Sequence, residues 1–154
     1  MKQKYLEEKL KNFKNMLKAT FVNKKLSSIE KDLERLEKYS SLNQEEILSN
    51  YEKQATIERL IERVINQAID INQYIIKSLA SNKTPENYKE TFLILADLGI
   101  YTKEFGENIS QSVGLRNILA HDYDKIDSDL LYTSIFACLK DYKQYVKALV
   151  YFLN

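Results

Sequence analysis

The chain has 154 residues, about one domain, with 23 Lys+Arg against 22 Asp+Glu and a formal net charge of +1. No overall field draws it to a polyanion, so nucleic-acid binding would need a local patch. Three Gly and one Pro are too few for the many tight turns of a sandwich, a barrel or a doubly wound sheet, and the single Cys (Cys138) and single His (His121) exclude a disulfide framework and any Cys-rich or multi-His metal site within one chain.

Residues 1–25 are locally basic, with eight lysines against two glutamates, +6, while the other 129 residues carry −5. Leu6, Leu10, Phe13 and Leu17 recur at helical spacing and predict an amphipathic helical extension. Two readings fit it: a solvated basic face on a helix packed against the domain or a partner, or an electrostatic handle for RNA. A membrane-surface role fits less well, because the apolar stripe is narrow and lacks Trp. Residues 26–154 form the main domain. Leu26, Ile29, Leu33 and Leu36 predict its first helix. Ser40-Ser41-Leu42-Asn43 interrupts it, with Ser41 as N-cap and Glu45 and Glu46 in the first turn of a short helix.

The strongest periodicity comes next. Ile57, Ile61, Val64, Ala68, Ile71, Ile75 and Leu79 predict a long core helix over about 50–80. Ser81 to Pro85 reads as a linker. A further helix over about 86–98 ends at Gly99 as a C′ glycine. Another runs from near Tyr101 toward Tyr123, weakened by Gly106 and Gly114. After a turn at 122–129, a last helix carries Leu131, Ile135, Cys138, Tyr142, Tyr145, Leu149 and Leu153. Cys138 lies on that apolar stripe and reads as a core residue rather than a nucleophile. The fold class is all-α: an up-and-down antiparallel bundle of four core helices, a short helix and the N-terminal extension. No run approaches the ~20 apolar residues that span a bilayer, and the N-terminus has no secretion-signal pattern. The expectation is a cytoplasmic protein without membrane attachment.

One stretch carries chemistry: Gly114-Leu115-Arg116-Asn117-Ile118-Leu119-Ala120-His121-Asp122-Tyr123. Asn117 and His121 are four residues apart and share a helical face, so Asn117 can hold one imidazole nitrogen and set its tautomer. Arg116 and His121 are five apart, about 140° around the axis. They converge only at a frayed helix end or with a second copy of the chain. Guanidinium grips phosphate and stays charged. Imidazole is an acid or base near neutrality. Together they suit cleavage of RNA through its own 2′-OH, a reaction that needs no metal. A symmetric dimer would supply two His and two Arg to one cleft. The spacing alone also fits a histidine that caps a helix C-terminus.

Arg116-x4-His121-x-Tyr123, with Asn117 after the Arg, resembles the signature of the HEPN superfamily, and more narrowly the HepT-type toxins. Pro85-Glu86-Asn87-Tyr88, Phe92, Leu95 and Gly99 resemble the segment before the motif, and Asp124 to Asp127 the segment after it. The resemblance covers about Leu26 to Asn154, and residues 1–25 do not align to it. It implies a homodimeric, metal-independent endoribonuclease toxin without a cofactor, acting on tRNA or mRNA. Arg116 would hold the scissile phosphate and His121 would be acid or base. Asn117 would orient His121, and Asp122 would be auxiliary. The implied antitoxin is a minimal nucleotidyltransferase that AMPylates the motif tyrosine, here Tyr123. AMP beside Arg116 and His121 would pair with the guanidinium and exclude RNA.

Two rivals remain. A non-catalytic HEPN module would bind nucleotide or RNA and scaffold the nucleotidyltransferase, and His121 substitutions would leave its phenotype unchanged. A plain structural bundle would need residues 1–25 for assembly and tolerate changes in the motif. Degenerate relatives tend to lose the Arg or the His, and this chain keeps both.

Overall fold

The computed structural model describes residues 1–17, 21–121 and 127–154, with backbone only for 13–17 and 121. Among the described residues there are eight helices and no strand: α1 (Lys2–Leu17), α2 (Phe21–Glu37), α3 (Gln44–Leu48), α4 (Tyr51–Leu79), α5 (Tyr88–Asp97), α6 (Lys103–Ser110), α7 (Ser112–His121) and α8 (Ser128–Leu153). The all-α bundle expected from the periodicity is the fold observed.

The long stripe on α4 makes it the central helix. Ile57, Ile61, Val64, Ile65, Ala68, Ile71 and Ile75 are fully buried. α2 runs antiparallel to α4, with Lys25 on Asp70 at 3.0 Å and Arg63 reaching back to Asp32 at 3.0 Å. α7 is also antiparallel to α4, with Gly114 beside Gln73 at one end and Leu119 beside Glu62 at the other, and α8 packs on both α2 and α4. The Tyr145 hydroxyl of α8 is 2.6 Å from Asn72 Oδ1 and 3.2 Å from the Ala68 carbonyl. Asn72 Nδ2 in turn donates to Thr91 Oγ1 of α5 at 3.1 Å, so this buried polar group is satisfied on both sides. Tyr142 and Tyr145 sit deep in the core, whereas Tyr5, Tyr51, Tyr88 and Tyr151 are exposed. The tyrosines therefore do not all follow the apolar stripes.

The helix ends follow local chemistry. The cap of α3 is Asn43, not the expected Ser41. Asn43 Oδ1 accepts from Glu46 N at 2.9 Å, Glu46 Oε1 accepts from Asn43 N at 3.4 Å, and Ser41 Oγ turns back to the Lys38 carbonyl. The cap must sit next to the first helical turn to reach its open N–H groups. α5 ends as expected at Gly99, whose φ of +81° is the left-handed conformation glycine favours. Ile100 N donates to Leu95 O and Gly99 N to Ala96 O, a Schellman closure.

The single helix expected from Tyr101 toward Tyr123 is instead two, α6 and α7, joined at Gln111. Ser110 Oγ donates to the Glu107 carbonyl and Ser112 Oγ to the Ile109 carbonyl, both at 2.7 Å. Such side-chain bonds compete with the helical ladder. Gly106 allows close packing of α6 on α5, since a Cβ there would lie 3.0 Å from Ala96 Cβ and 3.2 Å from the Tyr101 ring. No helix among the described residues is long and apolar enough to cross a membrane.

Candidate functional site

Arg116 sits in the middle of α7, on the side turned to α4. Its Nε donates to Asn66 Oδ1 of α4 at 2.6 Å, and its Nη1 donates to Asn117 Oδ1 at 3.1 Å. The guanidinium carbon lies 5.4 Å from the centre of the Tyr88 ring at the start of α5, within cation–π range. Three elements thus hold one guanidinium, and all three contacts are neutral.

The chain has three other arginines, and each pairs with a carboxylate. Arg35 and Arg63 converge on Asp32, whose side chain is 1% exposed, and Arg59 lies 3.7 Å from Glu62. Among the described residues Arg116 has no acidic partner. Its position is fixed by neutral groups, with no compensating carboxylate among the described residues. A guanidinium has five N–H donors, and the two bonds above use two of them. The rest suit the oxygens of a phosphate, which Arg grips in a fork.

Asn117 is therefore tied to Arg116 through its carbonyl oxygen, because a guanidinium only donates. Its amide nitrogen makes no other hydrogen bond among the described residues. The backbone of His121 closes α7; its imidazole, Asp122 and Tyr123 lie outside the described residues. Sequence reasoning missed Asn66 as a site residue. It is a polar residue inside the strongest helix, and nothing in the linear pattern links it to Arg116. Tyr88 lay within the recognised segment before the motif, but without a role.

Two of the grooves along α7 lie against α4 among the described residues. One, of 620 Å³, lies between α4, the linker before α5 and the α6–α7 joint, and includes Gln73, Tyr88, Gly114 and Asn117. The other, of 770 Å³, lies between the first half of α4, the end of α7 and the start of α8, and includes Glu58, Glu62, Leu119 and Asp127. Burial raises the Glu58 carboxyl above its ordinary value. Cys138 is buried in α8, and desolvation first, then the nearby Asp141, pushes its thiol up, which removes it as a nucleophile. Among the described residues no three of His, Cys, Asp and Glu gather as a metal-ligand set.

The fold and the site together define an all-α bundle that holds Arg116 between neutral groups beside a groove, an arrangement able to take an anion. The family described as ribonuclease HepT-like matches residues 29–149, and the chain belongs to that family. It is 34% identical over 131 residues to the tRNA nuclease HepT of Aphanizomenon flos-aquae, covering 85% of this chain and 88% of that protein. It is 28% identical over 86 residues to the mRNA nuclease HepT of Shewanella oneidensis, covering 56% of this chain and 64% of that one. A chain in the solved structure of the tri-AMPylated Shewanella oneidensis HEPN toxin in complex with MNT antitoxin superposes with a TM-score of 0.75 at 22% identity, covering 84% of this chain and 96% of that chain. At that identity the likeness shows the HEPN fold. α1 and the first turns of α2 lie outside the family match.

Proposed function

We propose that this chain is a metal-independent endoribonuclease toxin of the cytoplasm, cleaving RNA as a homodimer and restrained by a nucleotidyltransferase antitoxin. The observation that carries the reading is Arg116, held by neutral groups and without an acidic partner among the described residues, within a chain of the HepT-like ribonuclease family. Two relatives are named as nucleases of tRNA and mRNA, and a structural neighbour is an AMPylated toxin bound to MNT antitoxin.

In this reading Arg116 binds the scissile phosphate and stabilises the charge that builds on it in the transition state. His121 of one copy removes the proton from the 2′-OH, and the same residue of the second copy protonates the leaving 5′ oxygen. The oxygen–phosphorus bond to the 2′ oxygen forms as the bond to the 5′ oxygen breaks. The products are a 2′,3′-cyclic phosphate and a 5′-hydroxyl. The nucleophile is part of the substrate, so the step needs an acid, a base and an anion holder but no metal-bound water. Asn117 positions Arg116 and is available to orient His121, and Asp122 is an auxiliary polar group. AMPylation of Tyr123 places a phosphate and a nucleoside next to this site and blocks it.

The test is RNA cleavage in EDTA by the wild type, His121→Ala and Arg116→Ala, with the fragment ends identified. Cleavage by wild type alone, leaving cyclic or 3′-phosphate ends, is the expected result. A folded, unmodified dimer that leaves RNA intact would favour a non-catalytic module instead.

A further inference from the structure

The chain has three glycines, and the fold accounts for two of them. Gly99 needs its positive φ, and Gly106 allows α6 to approach Ala96 and Tyr101. Gly114 has neither reason. It lies in the first turn of α7, its φ is not in the positive region, and a Cβ there would meet nothing within 4 Å among the described residues. Alanine would favour the helix more than glycine does. Within one chain, then, the absence of a side chain at Gly114 costs helical stability and makes no close approach possible.

Gly114 lies instead in the lining of the 620 Å³ groove, a volume within the ~300–1,000 Å³ range of small-molecule sites. The groove adjoins Arg116 through two shared residues. Tyr88 is 42% exposed and has its ring against the guanidinium, and Asn117 bonds Nη1. The Gln73 and Gln111 side chains add amides to the lining, and Pro85 adds an apolar wall. Gln73 is exposed and makes no hydrogen bond among the described residues. An aromatic ring, several amides and an apolar wall beside an anion holder match the parts of a nucleotide. Aromatic rings stack bases, amides read base edges, and the guanidinium takes the phosphate.

We propose that this groove is a nucleobase subsite that seats the base of a nucleotide adjoining the phosphate on Arg116, with Gly114 as the open floor that admits it. The proposal rests on the ribonuclease reading for its substrate, but not for its binding test. Tyr88, Asn117 and Gln73 would then bias which base flanks the cut.

The experiment titrates the full chain with each of the four nucleoside 3′-monophosphates by NMR, for wild type, Gly114→Ala, Gly114→Leu and Gln73→Ala, alongside thermal melts and oligomer mass. RNA fragments from each variant are then sequenced at their ends. Gly114→Leu should weaken mononucleotide binding at least about tenfold, the scale of one well-made base contact. Gly114→Ala should do so less, with melting temperatures unchanged or raised. Gln73→Ala should flatten the preference among the four bases and the base preference at the cut. Mononucleotide affinity unchanged in Gly114→Leu would overturn the proposal. So would a changed oligomer mass with unchanged affinity, which would make the groove an interface between copies. If the wild type cleaves no RNA yet binds mononucleotides in a Gly114-dependent way, the ribonuclease reading fails and the subsite stands.

Discussion

Asn66 accepts a 2.6 Å hydrogen bond from Arg116 Nε across a separation of 50 residues, and this bond aims the guanidinium while Nη1 turns to Asn117 Oδ1. Asn66→Ala should keep the fold and lower kcat/KM for RNA by about 10–100-fold, or ~1.4–2.8 kcal/mol of lost positioning. Asn66→Asp should raise KM further, because a carboxylate would compete with phosphate for the same guanidinium. Steady-state kinetics on one defined RNA separate the two effects; wild-type kinetics in both variants would show that Asn66 does not position Arg116.

Arg116→Lys keeps the positive charge but loses the planar fork, the Nε bond to Asn66 and the face laid on Tyr88. Its activity is expected to fall nearly as far as that of Arg116→Ala. Activity near wild type in the Lys variant would mean that a point charge suffices.

The Tyr145 hydroxyl, Asn72 and Thr91 form a buried polar chain linking α8, α4 and α5. Asn72→Leu removes two buried hydrogen bonds, leaving the Tyr145 hydroxyl the longer bond to the Ala68 carbonyl and Thr91 Oγ1 its bond to the Tyr88 carbonyl. It should cost about 0.5–1.5 kcal/mol for each bond lost, read as a lower urea midpoint at constant m. An unchanged midpoint would show that the backbone carbonyls alone satisfy these groups.

Glu58 links stability to pH. Burial raises its carboxyl above 4.5 in the folded chain, so the folded state holds the proton more tightly than the unfolded one. Stability from this group is complete below 4.5 and is lost as pH rises through the raised folded value. Glu58→Gln should therefore melt higher than wild type at pH 7, and the gap should close below pH 4.5. A gap that persists at low pH would trace the gain to packing rather than to charge.

The basic extension also yields a measurable expectation. Lys25 pairs with Asp70, and Phe21 stacks on Tyr74, at 5.3 Å between ring centres. The start of α2 therefore lies on the same stripe of α4 as Asn66, since 66, 70 and 74 follow at helical spacing. Lys2, Lys4 and Lys11 of α1 are exposed and form no ion pair among the described residues. Deleting residues 2–17 should flatten the dependence of RNA affinity on salt. The log–log slope should fall by about 0.7 for each lysine that neutralised a phosphate of single-stranded RNA. An identical slope would assign α1 to protein contacts instead.

Much of this molecule was legible from neighbours in the chain. The 3-4 spacing along α4 and α8 marked the core, Gly99 marked the end of α5, and the Arg116-to-Tyr123 pattern marked the family, because each signal depends on residues within a turn or two. The break at Gln111 and the cap at Asn43 were harder. Both turn on competition between side-chain and backbone hydrogen bonds, which differ by little energy and leave almost no mark in hydrophobic pattern. The partners of Arg116 lay beyond local reach altogether. Asn66 and Tyr88 meet it only because α7 packs antiparallel on α4 with α5 alongside. That packing, and not the motif, makes Arg116 differ from Arg35, Arg59 and Arg63: three arginines fold against carboxylates, and one is held, among the described residues, by neutral groups alone.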